Sequence, residues 1–271
     1  MTSRARGRGP DGLLAMARSL SPRDQEVLRA VARHRFLTTQ HVERLVFHDH
    51  ASALSAARTC RRVLRRLHQL DLVTPLERRV GGFGAGSATS IWHLAPVGVR
   101  VLSFLSGDGL APRIREPSVR FVAHTLAVAE THLRLIEATR TGRFELTSVQ
   151  IEQESWRSYQ TAAGGTDYLK PDLAVITSTE QFEDHWFLEV DLGTEHLPTI
   201  QRKCQQYQAY RQTGTEQAAS NIFPVVVWIA PNQRRADKLA AAIFGHRTLD
   251  QALFRVTVMD QLTNLITGGA A

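Results

Sequence analysis

The chain is 271 residues long, 43% hydrophobic and 22% charged, ordinary globular material sufficient for one large domain or two modest ones. No apolar run approaches the roughly 18 residues needed to cross a bilayer, and MTSRARGRGP lacks the apolar segment of a signal peptide. Cys60 and Cys204 have no paired spacing, which argues against a disulfide framework and a zinc knuckle; the expectation is a soluble, cytoplasmic protein with no membrane partner.

The formal net charge of +7 is split unevenly. Residues 1–120 hold 20 Arg against 9 acids, or +11, whereas residues 121–271 hold 13 basic against 17 acidic residues, or −4. Such asymmetry predicts two domains, the first facing a polyanion. Placement weighs more than number here, because 30 Arg against 3 Lys is also what a GC-rich coding sequence produces.

Residues 1–20 are rich in Arg, Gly and Ser and read as a disordered basic tail. SPRDQEVLRAVARHRFL predicts a helix capped by Ser21, with Pro22 in its first position and Val27, Leu28, Val31 and Ala32 as its apolar stripe. TTQHVERLVF predicts a second, capped by Thr38 or Thr39, with Val42, Leu45 and Val46 inward. In the third, SALSAARTCRRVLRRLHQLDLV, Ala57, Cys60, Val63, Leu64 and Leu67 share one side, and Arg58, Arg61, Arg62, Arg65 and Arg66 the other. Like charges on one helical face repel unless an anion lies against them. LVTPLERRV and SATSIWHLAP then read as a β-hairpin around GGFGAGS.

Three helices followed by a hairpin is the order of a winged helix-turn-helix, here over residues 21–110. In that arrangement the third helix enters the major groove of double-stranded DNA, and Arg78 and Arg79 on the wing reach a neighbouring phosphate or the minor groove. The alternative is a solvated Arg-rich face used for protein contacts. GGFGAGS lacks the Lys-Ser or Lys-Thr and the following helix of a nucleotide phosphate loop. His48, Asp49 and His50 are neighbours that point different ways, and read as loop residues rather than metal ligands.

Turn formers in SGDGLAPRIREPS, residues 106–118, mark a linker, and a second domain follows over 119–271. Its segments predict a helix ending at Gly142, strands at FELTSVQIEQE, YLKPDLAVIT and HWFLEVDLG, and a helix at LPTIQRKCQQYQAYRQTG. The strand PVVVWIA, the helix NQRRADKLAAAIF and a short strand at RVTVMD complete it. The order α, β, β, β, α, β, α, β describes a mixed sheet flanked by helices, in a two-domain chain of α+β or α/β class.

Strand alternation places the acids. In HWFLEVDLG, Trp186, Leu188, Val190 and Leu192 share one face, leaving Phe187, Glu189 and Asp191 on the other. Asp172 joins them if the preceding strand pairs as a hairpin. Three close carboxylates persist as charges only around a cation, and oxygen-only ligation suits Mg²⁺ or Mn²⁺. Ile200, Lys203, Tyr207 and Tyr210 form an inward stripe on the next helix, in which Lys203 needs a counter-charge that the strand ends can supply. Plainer readings stand beside these: Asp172 capping a turn, Glu189 and Asp191 on a solvated face, Lys203 snorkelling. Glu130, Glu152 and Glu154 are weaker candidates for the same site.

Pro171-Asp172 followed by Glu189 and Asp191 resembles the PD-(D/E)XK nuclease pattern on the matching αβββαβ order. Asp191 stands where that family has its lysine, and Lys203 is similar to the migrated lysine of divergent members. Together with the basic winged helix, LKPDLAVI, FLEVDLGTE and RKCQQYQAY resemble the replication-relaxation family of actinobacterial plasmids and mobile elements, over about residues 21 to 230. The resemblance implies a restriction-endonuclease-like second domain and a role in plasmid replication, DNA relaxation or transfer. Its implied partners are double-stranded plasmid DNA and other replication or transfer proteins, with a homodimer among the assemblies to consider. Two functions stay open. One is a metal-dependent deoxyribonuclease, with Asp172, Glu189, Asp191 and Lys203 hydrolysing phosphodiesters and the three acids holding the ion; the other is a non-catalytic DNA-binding regulator or replication accessory factor with a degenerate nuclease domain.

Overall fold

The computed structural model describes residues 9–76, 90–106, 117–161 and 164–268, and the chain divides into two compact units, Met1–Leu133 and Arg134–Ala271. The first unit begins with α1 (Pro10–Ser19), α2 (Pro22–His34), β1 (Leu37–Thr38), α3 (Thr39–Val46) and α4 (Ala53–Gln69). It continues through β2 (Val73–Pro75), β3 (Ile91–Leu94), α5 (Pro96–Ser106) and most of α6 (Val119–Arg140).

α1 corrects the expected tail. Leu13, Met16, Ala17 and Leu20 recur at helical spacing and are buried, and Pro10 and Asp11 stand in the first turn, where a missing N–H and a negative charge are both tolerated. The Arg and Gly content around that period hides it; residues 1–8 lie outside the described residues. α2 starts at the expected Ser21, whose hydroxyl accepts from the Asp24 N–H while Asp24 accepts from the Ser21 N–H at 3.0 Å. Thr38 caps α3 by accepting from the His41 N–H at 3.0 Å.

The small sheet has the order β1-β3-β2, antiparallel throughout, with Leu37 opposite Trp92 and Val73 opposite Leu94. GGFGAGS, Arg78 and Arg79, together with residues 107–116 of the expected linker, lie outside the described residues. α5 has no counterpart among the expected elements. It approaches the chain so closely at Gly98 that a Cβ there would lie 2.0 Å from the Leu72 carbonyl oxygen, which leaves room for glycine alone.

The unit boundary falls inside α6 rather than at residue 119. Val122 and Leu126 pack with Phe36 and Ile91, and Ala129 joins the core built by α1 to α5, so the first part of this helix belongs to the first unit.

The second unit contains β4 (Glu145–Ile151), β5 (Arg157–Gln160), β6 (Thr166–Leu169), β7 (Leu173–Ser178), β8 (Glu183–Val190) and α7 (Leu197–Gln212). α8 (Thr215–Ser220), β9 (Val225–Ala230), α9 (Gln233–Phe244), β10 (Phe254–Val258) and α10 (Leu262–Thr267) follow. Five strands form a mixed sheet of order β10-β9-β8-β7-β4, antiparallel from β4 to β8 and parallel from β8 to β10. Phe187, Val226 and Trp228 from this sheet pack against Ile200, Tyr207 and Tyr210 of α7, with Leu239 of α9 in the same cluster. The expected single strand YLKPDLAVIT is two strands. β6 ends at Leu169 and β7 starts at Leu173, because Pro171 has no N–H for a ladder; β6 turns away to pair with β5. Among the described residues no helix is long and apolar enough to cross a membrane.

His34 and His132 are buried in the first unit with the His132 Nδ1 3.2 Å from the His34 Nε2. Burial, with the charge of Arg33, holds His132 down at about 4; burial, with His132, Arg33 and His41, holds His34 well below its ordinary value. A folded pKa below the unfolded one, near 6.5, gives stability that is present above that pH and lost as the pH falls toward 4. Thermal melts between pH 7.5 and 4.5 should therefore decline less steeply for His132→Gln than for the wild type; equal slopes would show that the pair is not held neutral.

Candidate functional site

In the first unit the candidate is the face of α4. Ser52 starts this helix by accepting from the Ser55 N–H at 3.2 Å. Ala56, Cys60, Val63, Leu64 and Leu67 are its buried residues, Ala56 taking the place expected of Ala57. Arg58, Arg61, Arg62, Arg65 and Arg66 are exposed, as the period predicts. They do not have one role. Arg66 donates to the carboxylate of Asp24, which is fully buried and also builds the cap of α2, so Arg66 is an anchor of the fold. Arg58, Arg61, Arg62 and Arg65 make up the rest of the solvent-facing set.

In the second unit the structure brings Asp172, Glu189 and Lys203 together. The β7–β8 register sets Leu173 opposite Leu188, and one step further along the same ladder sets Asp172 opposite Glu189. The Asp172 Oδ2 accepts from the Val190 N–H at 2.7 Å. Its backbone carbonyl accepts from the Glu152 N–H at 2.8 Å, and the Pro171 carbonyl accepts from the Ser155 hydroxyl at 2.5 Å, so the turn after β4 braces this corner.

Glu189 is only 1% exposed. The Lys203 Nζ stands 2.5 Å from its Oε2, and the Tyr207 hydroxyl donates to its Oε1. Lys203 and Tyr207 are one helical turn apart, and both reach the same carboxylate. Burial pushes the Glu189 carboxyl up to about 7, against the pull of Lys203 and with a further push from Asp172. For Lys203 burial acts downward, but Glu189 and Asp172 together outweigh it and its pKa is raised. Burial and the Glu189 charge hold the Tyr207 hydroxyl well above its ordinary value, as a proton donor.

Asp191 meets a different partner. Its side chain is buried, and its two oxygens accept from the Arg235 Nε at 2.6 Å and a terminal nitrogen at 3.2 Å. Arg235 also donates to the Glu195 carbonyl at 2.7 Å. Among the weaker candidates, Glu130 accepts from Arg44 at 2.7 Å and lies 3.4 Å from the His41 Nε2 in the first unit. Glu154 accepts from the Ile151 N–H at 3.1 Å. Sequence reasoning missed Arg235 and the role of Tyr207. Tyr207 was placed on the right stripe, and Arg235 could have been found as a cation in the first turn of the helix after PVVVWIA, the parallel neighbour of β8.

Lys203 also lines an open groove of about 1190 Å³, with Arg202, Gln206, Tyr159 and Asp167 among its walls. This amine therefore joins the buried Glu189 to solvent-accessible space. Among the described residues no group of three or more His, Cys, Asp or Glu is arranged to hold a metal ion. Asp172 and Glu189 are two neighbouring carboxylates, the number Mg²⁺ takes when its other positions go to water and phosphate, and Lys203, Tyr207 and the Val190 N–H engage three of their four oxygens.

Removing one member of a buried ion pair strands the other. Lys203→Met should lower stability by about 3 kcal/mol at pH 8. A carboxyl raised in the folded state contributes most below its unfolded pKa, about 4.5, and loses that contribution as the pH rises through about 7. The loss caused by Lys203→Met should thus shrink at pH 5.5, where Glu189 carries a proton in both proteins; urea unfolding at the two pH values checks it, and a pH-independent loss would contradict the pairing.

No curated protein and no solved structure matches the chain. A family model described as replication-relaxation matches residues 28–226, well over half of the 271 residues and a span that takes in both α4 and the Asp172, Glu189 and Lys203 cluster. The chain belongs to the replication-relaxation family, and membership points to a role in plasmid replication or relaxation.

Proposed function

We propose that the protein binds plasmid DNA through a winged helix in its first unit and hydrolyses phosphodiesters in a PD-(D/E)XK-like second unit. The observation that carries this reading is the meeting of Asp172, Glu189 and Lys203 beside a solvent-open groove. The order of α2, α3 and α4 followed by β2 and β3 supports the winged helix, and the meander β4-β7-β8 with β9 parallel to β8 supports the nuclease-like sheet.

Asp172 and Glu189 would hold Mg²⁺ or Mn²⁺, which when bound supplies Lewis-acid polarisation of a phosphoryl oxygen and a more acidic water. Lys203 reaches both the carboxylate and the groove, so its ammonium is the group to meet a non-bridging phosphate oxygen and offset charge as it develops. Tyr207 fixes the direction of Glu189 by holding its other oxygen. Asp191 takes no part in this chemistry, because Arg235 occupies both of its oxygens.

A second reading is favoured by one specific feature. Both oxygens of Glu189 are engaged within the protein, as befits a structural ion pair in a non-catalytic accessory factor. The two readings diverge on plasmid DNA with Mg²⁺ or Mn²⁺. The nuclease cleaves or nicks it, loses that activity in Asp172→Ala and Glu189→Ala, and keeps it in Asp191→Asn below that variant's melting temperature. A clean preparation inactive with either ion leaves the accessory factor. In both, replacing Arg61, Arg62 and Arg65 by Ala should weaken duplex binding and flatten its salt dependence by about 0.9 in log–log slope per lost phosphate contact.

A further inference from the structure

The β5–β6 hairpin has two unlike faces. Tyr159 and Leu169 carry the inner one into the core. On the outer one Ser158 lies opposite Tyr168 and Gln160 opposite Thr166, and one step further along the ladder Trp156 lies opposite Lys170. All six are exposed, Tyr168 at 52% and Trp156 at 40%. Two large aromatic rings thus stand in solvent on a surface whose packing is done by other residues. The Lys170 ammonium lies 4.5 Å from the Trp156 ring centroid and 6.0 Å from that of Tyr168.

The geometry points to a binding platform for an unpaired DNA strand on this face, with Trp156 and Tyr168 stacking bases and Lys170 meeting a phosphate. Aromatic faces beside a cation are the chemical complement of a single strand, whose bases have free π-faces. A duplex cannot use such rings without unstacking, because its base faces are covered by their neighbours. A polar peptide would meet the lysine but gain little from both rings. Lys170 also leads directly into Pro171-Asp172, so the platform lies within about 7 Å of chain from the first acid of the site. The inference rests on the second unit acting on DNA and adds the strand state: the site takes unpaired or branched DNA in preference to intact duplex.

Binding by the full chain in EDTA tests it without any cleavage, using fluorescence anisotropy of a short labelled oligothymidylate and of a duplex of equal length. Joint replacement Trp156→Ala and Tyr168→Ala should weaken oligothymidylate binding by about tenfold or more while changing duplex binding by less than about twofold. The Trp156→Phe and Tyr168→Phe pair keeps the ring faces and should keep the affinity, which separates lost stacking from lost folding. Lys170→Gln should reduce the salt dependence of oligothymidylate binding. An unchanged affinity in the double alanine variant, an equal loss for duplex, or no oligothymidylate binding by the wild type overturns the platform. Intact binding without ion-dependent cleavage sinks only the catalytic reading.

Discussion

A carboxylate enclosed by a sheet and a helix organises the second unit. Glu189 lies on β8, the middle strand of the five, and is almost fully buried. An ion so placed is costly by several kcal/mol unless its oxygens are matched by donors of fixed position. Lys203 and Tyr207 supply those donors from successive turns of α7, while Ile200, Cys204 and Tyr210 complete the buried side of the same helix. The apolar residues decide that α7 packs on the sheet, and the polar pair decides at what height and rotation. Chemistry and packing are therefore not separable here. Any change that frees Glu189 for a ligand also alters what holds α7.

The first unit resolves a similar tension differently. A helix with five arginines on one side repels itself, yet α4 is well formed, because its opposite side is fully apolar and one of the five is spent on the fold. Asp24 is buried and so needs a permanent cation, which Arg66 provides, and Asp24 in turn caps α2. This couples the start of one helix to the last turns of another. It also narrows the exposed set to side chains whose loss would cost the fold little, which is the condition for a surface free to meet a polyanion.

Much of this was legible in the residues themselves. Ser21, Pro22 and Thr38 mark helix starts by local hydrogen bonding, and local rules held there. The period of α4 separated its two faces, and alternation along β8 put Glu189 on the face that meets α7. Elements decided by distant contacts were harder. α1 is stabilised by packing on α5, so its short apolar stripe carries little weight beside its basic flanks. α5 sets Gly98 against the Leu72 carbonyl, a fit that only the folded backbone reveals. β6 and β7 read as the single strand YLKPDLAVIT because nothing in it but Pro171 signals the change of partner, and β5, the partner of β6, has no counterpart among the expected strands.

Asp191 shows most clearly what alternation omits. It follows Glu189 by two residues and its carboxylate is buried, but spacing along a strand says nothing about what stands above each position. Glu189 meets a lysine, a single charged donor on a flexible stem, at one oxygen and the Tyr207 hydroxyl at the other. Asp191 meets an arginine, whose planar fork engages both oxygens at once. The first arrangement ties β8 to successive turns of α7, and the second joins the end of β8 to the start of α9. The identity of the facing donors, rather than the presence of the acid, thus decides which helix each carboxylate holds to the sheet.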